Sequence, residues 1–439
     1  MPSDQPHPHK IVIVGGGAGG LELVTRLGDG LGRRGRAEIT LIDTSWTHVW
    51  KPLLHEVAAG SLDVGEHQLE YLAQARRHHF RFRLGRMEGL DRKRRLVQVA
   101  PVYNEEGLAV TPARTFPYDT LVIAVGSVSN DFGLPGVAEH CLFLDTTQQA
   151  QRFQRNLLDR LLQAHAQGDP VRPGQLDVAI VGGGATGVEL AAQLHRVTRL
   201  LPAYGLDEVQ PDTDIRLTVI QAAPRLVPGL PERLSRAVAG ELQRLGIAVR
   251  CDERVTEVTA DGIRTAGGEF IPAAFKVWAA GIKAPEFLSR LPDLETTTTH
   301  QLLVRPTLQA THDDSIFALG DCAACPMDGG ALVPPRAQAA HQQASFLARA
   351  LAVRLKGGTL PRYRYRDYGS LVALGHYSTV GNLMGKALNN LSVSGMVASL
   401  IYRSLYQMHL LALHGWIRTG ILALTNLVRR GIDPEIKLH

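Results

Sequence analysis

Cysteine is scarce in this chain, which has four cysteines among 439 residues. So few thiols do not make the disulfide framework of a small secreted protein, and we expect a reducing compartment. The spacing typical of metal sites is lacking as well. The seventeen histidines form no H-E-x-x-H motif, and the C-x-x-C from Cys322 to Cys325 has no second pair at zinc spacing. We therefore predict that the protein holds no metal ion.

Long apolar runs are also lacking, since no stretch reaches the roughly 18 apolar residues of a membrane-spanning helix. The best candidate, near the C-terminus, is interrupted by Arg403, His409, His414 and Arg418. The first ten residues are polar and show no signal-peptide pattern. The apolar fraction of 45% and the charged fraction of 20% are those of a globular protein. The length suits two or three domains of about 150 residues each.

Two glycine-rich loops of the same kind are the most informative feature that is present. Residues 11–14 run into a glycine loop at 15–20, and residues 178–181 run into a second at 182–187. Each loop fits G-x-G-x-x-G after a buried strand and before a helix, where backbone N–H groups can approach a pyrophosphate. The glycines predicted to cradle the two pyrophosphates are Gly15, Gly17 and Gly20, and Gly182, Gly184 and Gly187. Two dinucleotides in one chain indicate a flavoenzyme with one site for FAD and one for a nicotinamide donor.

The strands around these loops predict an α/β fold with two Rossmann-like domains. In the first, a strand at 38–43 ends in Asp43, 23 residues after Gly20, where an acid can accept hydrogen bonds from a ribose. The alternative is a surface acid at a strand end. In the second, the matching strand at 215–220 is followed by Gln221. Three more buried strands end at glycines where the backbone must approach something closely, namely Gly126, Gly281 and Gly320.

Two other regions have a readable pattern. Residues 76–120 alternate in polarity and predict an antiparallel meander, with the charge run at 91–95 as a solvated turn. A run rich in Ala and Gln at 336–355 predicts a helix.

The C-terminal segment is both basic and apolar. From Leu351 onward the chain has eleven Lys and Arg against three Asp and Glu, and its total net charge of +5 leaves the rest acidic. Between about 391 and 430, apolar residues recur at three- and four-residue steps and predict an amphipathic helix. These residues are Leu400, Ile401, Leu405, Met408 and Ala412. The helix packs on the protein's own core or on a second copy, or it lies on an anionic membrane surface with Trp416 at the interface.

Together these motifs resemble the type II NADH dehydrogenases, the non-proton-pumping NADH:quinone oxidoreductases of bacterial respiratory membranes. These belong to the pyridine nucleotide-disulfide oxidoreductase-like flavoproteins. The segments that carry the resemblance run nearly from end to end, at residues 39–43, 50–56, 183–190, 278–285, 318–322, 334–342, 402–419 and 437–439.

The resemblance implies non-covalent FAD, NADH as donor and a membrane quinone as acceptor. A hydride would pass from NAD(P)H to FAD, and the flavin would then reduce quinone to quinol. The protein would be a peripheral homodimer on the cytoplasmic face of the inner membrane, in contact with anionic lipid and not with nucleic acid. An FAD domain would occupy residues 8–148 and 281–350, an NAD(P)H domain 149–280, and a membrane-anchoring and dimerisation region 351–439.

Carried over residue by residue, the resemblance implies further site residues. Those for FAD are Asp43 at the ribose, Asp321 at the ribityl chain, Lys51 and Gly126. Those for the nicotinamide nucleotide are Gln221, Gly281 and Glu189, which would also act in catalysis; a helix-cap or dipole role is the alternative for Glu189.

The quinone residues would be Gln338, His341 and Gln342, which share one face of the predicted helix. The resemblance places Gln338 and Gln342 close to the flavin as catalytic residues. A solvated polar stripe is the alternative for all three, and a structural role is the alternative for His341.

Gln221 departs from the family, because many members carry Glu there. A carboxylate binds the ribose 2′-hydroxyl and repels a 2′-phosphate, whereas an amide does not repel it. Arg225 is also near in sequence. We therefore predict weak discrimination between NADH and NADPH.

Three alternatives to the quinone reductase stay open. Cys322 and Cys325 could form the redox pair of a flavin-dependent disulfide reductase. In such reductases the pair stacks on the flavin from a helix in either dinucleotide domain, whereas these cysteines directly follow Gly320-Asp321. A sulfide:quinone oxidoreductase shares the scaffold. Such enzymes need reactive cysteines and do not need an intact nicotinamide loop, whereas this chain has that loop complete. A flavin-bearing signalling or scaffold protein resembling apoptosis-inducing factor would turn over quinone slowly.

Overall fold

A computed structural model of the chain describes residues 7–374, 378–383, 391–394, 396–429 and 436. The segment 437–439, which contributes to the family resemblance, lies outside the described residues. The chain forms two compact units. The first comprises residues 1–50, 67–128 and 282–366, and the second comprises residues 51–66, 129–281 and 367–439. The domain boundaries given above stay a prediction.

The first unit is built on a six-stranded sheet. Its strands lie in the order Gln309–Ala310, Asp313–Ala318, Thr120–Ile123, His9–Val14, Ala37–Asp43 and Arg81–Leu84. All neighbours are parallel except Gln309–Ala310, which is antiparallel to the strand beside it. The central strands are continuous apolar runs because helices cover both faces of such a sheet.

A three-stranded antiparallel meander in the first unit consists of Arg114–Pro117, Leu96–Val99 and Met87–Asp91. The predicted meander is confirmed for these strands but is wrong for Arg81–Leu84, which joins the parallel sheet. Phe82 of that strand is buried and stacks on Tyr71 with ring centroids 5.1 Å apart. The charge run forms the predicted turn, but Arg92 pairs with Asp313 at 2.9 Å and is only 19% exposed.

The other elements assigned to or bordering the first unit are mostly short. The helices are Ala18–Leu27, the π-helix Gly28–Gly32, Val64–His67, Tyr71–Arg77, the 3-10 turns Glu286–Arg290 and Gly320–Cys322, and Ala337–Arg354. The strands are Thr47–His48, Leu69–Glu70, Val102–Tyr103, Ala109–Thr111, Val128–Ser129, Ile282–Lys283, Leu302–Leu303 and Ala323–Ala324. The long helix Ala337–Arg354 matches the prediction for residues 336–355.

The second unit repeats the plan on a smaller scale. Its five parallel strands lie in the order Leu142–Phe143, Phe275–Trp278, Val178–Val181, Leu217–Ile220 and Ala248–Arg250. An antiparallel sheet adds Val255–Val258, Gly262–Thr265 and Phe270–Pro272. The helices before the C-terminal segment are the 3-10 turn Lys51–Leu53, Leu54–Ala59, Val137–His140, Thr147–Ala166, Ala185–Leu200, the 3-10 turn Leu201–Tyr204, Pro211–Asp214 and Glu232–Arg244. In each unit the strand that feeds the glycine loop lies inside the sheet, which places the loop at its carboxyl edge.

The C-terminal segment differs from its prediction. It begins with antiparallel strands at Gly369–Leu374, Ser378–Leu383 and Leu391–Ser394, and the helix starts only at Met396. The helix Met396–Arg429 is broken at Gly415, whose φ of 73° is not helical. No helix in the described part of the chain is long and apolar enough to span a membrane.

Only part of the predicted apolar stripe can be followed. The side chains of Leu400, Ile401 and Leu405 lie outside the described residues. Of the remaining two, Met408 is 55% exposed and Ala412 is half-buried.

Candidate functional site

The first glycine loop has the geometry of a pyrophosphate cradle. Gly15 has a φ of +99°, and a Cβ there would overlap the carbonyl of Ala124. A Cβ on Gly20 would overlap the carbonyl oxygen of Gly15, so the first helical turn lies directly on the loop. Gly17 faces open space and starts the helix Ala18–Leu27 without a side-chain cap. The first N–H groups of that helix are therefore left for a bound anion, which fits a pyrophosphate.

The second loop has the same construction. Gly182 has a φ of +113°, and its Cβ would overlap the backbone of Ala279. A Cβ on Gly187 would overlap the carbonyl oxygen of Gly182, while Gly184 faces open space. The helix Ala185–Leu200 also starts without a side-chain cap. Both loops thus need glycine for close backbone contact and leave their helix N-termini open.

Asp43 and Gln221 hold the middle glycine of each loop. Asp43 Oδ2 accepts a hydrogen bond from Gly16 N at 2.6 Å, and Gln221 Oε1 accepts one from Gly183 N at 3.0 Å. Burial raises the pKa of Asp43, although hydrogen bonds from backbone N–H groups, that of Gly16 foremost, act in the opposite direction. Both side chains therefore lie beside their loops, as a ribose-binding role requires.

The predicted Arg225 contribution is not supported by its contacts. Its guanidinium donates to the carbonyl oxygens of Leu230 and Pro228, at 2.6 and 2.7 Å, and to Ser235 Oγ at 2.8 Å. These bonds brace the loop that Arg225 belongs to and use three of the five N–H donors of its guanidinium.

Asp321 and Gly126 lie at the carboxyl ends of neighbouring strands in the first unit. Asp321 Oδ2 accepts a hydrogen bond from Ser127 Oγ at 2.8 Å. Gly126 has a φ of +70°, and a Cβ there would have no atom within 4 Å, so space is open above it. The buried Gln343, which sequence reasoning missed, accepts from Gly320 N at 2.7 Å through Oε1. Gln343 directly follows the predicted Gln342, and only helical phase distinguishes the two.

The helix Ala337–Arg354 presents the three predicted quinone residues on one half-buried face, as expected from their spacing. The amide of Gln342 donates to the carbonyl oxygen of Arg366 at 2.7 Å and accepts from its N–H at 3.0 Å. The ring of His341 stacks on Trp50, with centroids 5.3 Å apart and planes at 21°.

Glu22 is a second residue that sequence reasoning missed. It is 2% exposed, and its carboxylate accepts hydrogen bonds from His341 Nδ1, from Ser345 Oγ at 2.7 Å and from Arg26 Nε at 2.7 Å. Burial alone would raise the pKa of Glu22, but the hydrogen bonds from His341 and Ser345 hold it below its ordinary value. A signal was available, because Gly20-Leu21-Glu22-Leu23 repeats the pattern of Gly187-Val188-Glu189-Leu190.

Glu189 is buried and lies in the second turn of its helix. The helix begins at Ala185 and has no acid in its first turn, so the cap or dipole alternative for Glu189 is wrong. Its Oε2 lies 3.6 Å from Nδ1 of His55, which is 2% exposed. Burial lowers the pKa of His55 to about 4, against the effect of a hydrogen bond with the Pro52 backbone. Glu189 therefore faces a neutral imidazole at neutral pH.

Lys51 and Gly281 both belong to the second unit. Lys51 Nζ lies 3.3 Å from Asp145 Oδ1, and its side chain is 44% exposed. The other predicted FAD residues belong to the first unit. Gly281 has a φ of +72°, and a Cβ there would lie 2.6 Å from the ring of Phe132, so only glycine fits.

The cysteines are free thiols, and both members of the C-x-x-C are buried. Burial raises the pKa of Cys322 to about 12 and that of Cys325 to about 11. Since the thiolate is the nucleophile in dithiol chemistry, these thiols are in the unreactive form at neutral pH. Within the described ranges no group of three His, Cys, Asp or Glu side chains is placed to hold a metal ion.

Several known proteins are similar to this chain in sequence or in fold. The model of the pyridine nucleotide-disulphide oxidoreductase family matches residues 9–344. The type II NADH:quinone oxidoreductase of Haemophilus influenzae is 43% identical over 443 residues, which cover 98% of this chain and 100% of that protein. The Staphylococcus aureus protein of the same name is 26% identical over 388 residues, covering 86% and 90%. The structure of NDH2 from Plasmodium falciparum in complex with NADH has a TM-score of 0.80 at 17% identity, covering 98% and 100%.

Proposed function

We propose a function that proceeds from family membership: the chain belongs to the type II NADH:quinone oxidoreductases, and it transfers electrons from NADH to a quinone. It also belongs to the pyridine nucleotide-disulphide oxidoreductase family. The observation that carries the proposal is the presence of two complete glycine cradles with the same geometry. Two dinucleotide sites are what an NADH-dependent flavoenzyme needs.

FAD is the flavin that we propose for the first unit. A bound flavin accepts a hydride and stores two electrons, which couples a nicotinamide donor to a quinone acceptor. Gly15, Gly17 and Gly20 hold its pyrophosphate, Asp43 lies at the ribose, and Asp321 lies at the ribityl chain. The open space above Gly126 and the Ser127 bond to Asp321 agree with this assignment. Lys51 is proposed as a further contact.

The second unit holds NADH in this proposal. Gly182, Gly184 and Gly187 bind its pyrophosphate, and Gln221 lies at the adenosine ribose. Glu189 orders the nicotinamide end, and Gly281 is proposed as a further contact of the nucleotide. NADPH is a second donor, because Gln221 brings no charge against a 2′-phosphate.

The quinone face is formed by Gln338, His341 and Gln342 on the helix Ala337–Arg354. Amides there donate and accept hydrogen bonds with quinone oxygens without adding charge. The bonds from Gln342 to the backbone of Arg366 also fix the segment that follows the helix.

Membrane association is proposed for the end of the C-terminal helix. After the break at Gly415, Trp416 and Ile417 are 83% and 81% exposed, and Ile421 and Leu424 share their side of the helix. An exposed apolar face with basic residues around it binds the surface of an anionic bilayer. A peripheral position on the cytoplasmic side and a homodimer follow from the family resemblance.

The two thiol-dependent alternatives are disfavoured. A disulfide reductase and a sulfide:quinone oxidoreductase both need a reactive thiol, whereas burial keeps Cys322 and Cys325 protonated. The intact second glycine loop also favours a nicotinamide donor.

A steady-state assay tests the function. We expect the purified protein to oxidise NADH with a water-soluble ubiquinone analogue. In the variant Gly187→Ala, the added Cβ overlaps the carbonyl oxygen of Gly182 and forces the loop apart. We expect its kcat/KM for NADH to fall at least about tenfold, roughly 1.4 kcal/mol, with flavin content unchanged.

The matched control is Gly240→Ala, in the helix Glu232–Arg244 of the same unit, where a Cβ meets open space. This variant keeps the wild-type rate. Full NADH activity in Gly187→Ala would remove the second loop from the site. A wild-type protein that passes no electrons to quinone would refute the function itself.

A further inference from the structure

Glu22 is a buried carboxylate with no part in the function described so far. It lies on the helix Ala18–Leu27, next to the close contact that Gly19 permits with the helix Ala337–Arg354. A Cβ on Gly19 would lie 3.1 Å from the carbonyl oxygen of Ala340. Taking a carboxylate out of water is costly unless it is fully paired, and three partners pair Glu22.

Two of these three partners are on the helix proposed to face the quinone. They are His341, through Nδ1, and Ser345, one helical turn later. An ionised carboxylate only accepts hydrogen bonds, so Nδ1 of His341 must carry the hydrogen. The stacked indole of Trp50 fixes the plane of the same ring. Position, plane and tautomer of His341 are thus set by Glu22 and Trp50 together.

We propose that Glu22 is a positioning residue for quinone reduction, which holds His341 through Nδ1 so that Nε2 delivers a proton to the quinone. This inference rests on the proposed function, because it takes the helix Ala337–Arg354 as the quinone face. A quinone takes up two electrons and two protons. The electrons come from NADH by way of the flavin. Nε2 takes up a proton from water and gives it to the quinone as an O–H bond forms, and water supplies the second proton directly.

The charge of Glu22 fixes the tautomer of the ring, because an ionised carboxylate can only accept the hydrogen that Nδ1 carries. Arg26 pairs with the same carboxylate of Glu22, and His48 interacts electrostatically with His341. Burial lowers the pKa of His48 to about 4, so that ring is neutral near pH 7. Glu22 is therefore the acid next to His341 among the contacts described.

The experiment compares two oxidants in the full-length holoenzyme. A water-soluble ubiquinone analogue needs electrons and protons, whereas ferricyanide takes electrons alone. In Glu22→Gln the side chain keeps its size and an acceptor oxygen but loses its charge. We expect kcat with quinone to fall at least about tenfold. The ferricyanide rate stays within about twofold, because no proton donor is involved.

A double-mutant cycle shows whether Glu22 acts through His341. We expect His341→Asn alone, and both changes together, to slow quinone reduction by the same factor as Glu22→Gln. Additive losses would overturn the proposal, since they would mean that Glu22 acts independently. Equal losses with quinone and ferricyanide would also overturn it, because they would indicate a structural role.

A matched control and a fallback variant complete the test. Asp29 pairs with His78 at 3.0 Å in the same unit, and Asp29→Asn should leave both rates unchanged. If Glu22→Gln lacks flavin, His341→Asn decides alone: a quinone-specific loss supports the proposal, and a loss with both oxidants contradicts it. A wild-type enzyme that reduces ferricyanide but no quinone would refute the proposed function rather than the role of Glu22.

Discussion

At the scale of single residues, Asp43 and Gln221 occupy equivalent places and differ in charge. Each accepts a hydrogen bond from the middle glycine of its loop, so each has the same structural task. The carboxylate in the first unit and the amide in the second can then be explained by their ligands. An amide accepts from a ribose hydroxyl, yet it does not repel a phosphate at the 2′ position.

Gln221→Glu should make the enzyme more selective for NADH. The new carboxylate keeps the bond to Gly183 and adds repulsion against a 2′-phosphate. We expect the ratio of kcat/KM for NADH to that for NADPH to rise at least about tenfold, or roughly 1.4 kcal/mol. The exposed amide Gln210 provides a control, since Gln210→Glu adds the same charge away from the loop. A wild-type preference for NADH above about a hundredfold would contradict the weak discrimination that we predict.

The buried His55 leads to a prediction about how the stability of the fold depends on pH. Its pKa is about 4 in the folded protein and 6.5 in the unfolded chain, so the unfolded state binds the extra proton first. Its contribution to stability is complete above pH 6.5 and is lost as the pH falls towards 4. Over this window the loss amounts to about 3 kcal/mol.

We expect His55→Gln to lose less stability than the wild type when the thermal unfolding midpoint is compared at about pH 7 and about pH 5, on either side of the unfolded-state pKa. The exposed His7 gives the control, because His7→Gln should follow the wild-type pH dependence. An unchanged pH dependence in His55→Gln would show that the native ring takes up a proton freely.

At the scale of elements, the sequence predicts what local pattern determines. The glycine loops, the buried strands around them and the helix Ala337–Arg354 follow from spacing and apolar runs. Arg81–Leu84 was placed in the meander because its alternation is local, whereas its partner strand Ala37–Asp43 is set by the tertiary fold. Likewise Leu391–Ser394 lies within the range predicted as a helix, whereas its apolar Leu391 and Val393 alternate and it pairs with Ser378–Leu383.

The site residues also divide into those that local sequence pattern predicts and those that only the tertiary fold brings together. Gln338, His341 and Gln342 could be predicted to share a face because they lie on one helix. The partnership of Glu22 with His341 could not, since the two are 319 residues apart in the chain. The repeated Gly-x-Glu-Leu pattern is a signal that could have found Glu22 beside Glu189, but it does not indicate the histidine that each meets.

The C-terminal helix gives the prediction for an element. Among the described side chains after Gly415, those of Trp416 and Ile417 are the most exposed large apolar ones, and we expect Trp416→Ser with Ile417→Ser to weaken vesicle binding. Removing two such anchors should lower co-sedimentation with vesicles of anionic phospholipid at least about tenfold. Flavin content checks folding.

The control for general surface hydrophobicity is Leu108→Ser, a change at a side chain that is 62% exposed in the first unit. This variant should sediment like the wild type. Undiminished binding of the double variant would assign membrane contact to another part of the chain.

At the scale of the whole molecule, one α/β plan occurs twice. Each unit has a parallel sheet, a glycine cradle, a polar side chain that braces the loop, and a buried glutamate beside a histidine. The first unit also has the helix with the proposed quinone face, and the second ends in the segment proposed to contact the membrane. The duplication explains how one chain can bind both a donor nucleotide and a flavin. The two parts that occur only once, the helix and the C-terminal segment, are those that we propose to meet the quinone and the membrane.

The central claim is that the chain takes electrons from NADH and passes them to quinone through a bound flavin. An anaerobic titration of the purified holoenzyme tests it most directly. We predict that NADH bleaches the flavin absorbance and that a water-soluble ubiquinone analogue then restores it at once. Bleaching without recovery on quinone addition, or no bleaching by NADH, would contradict the account.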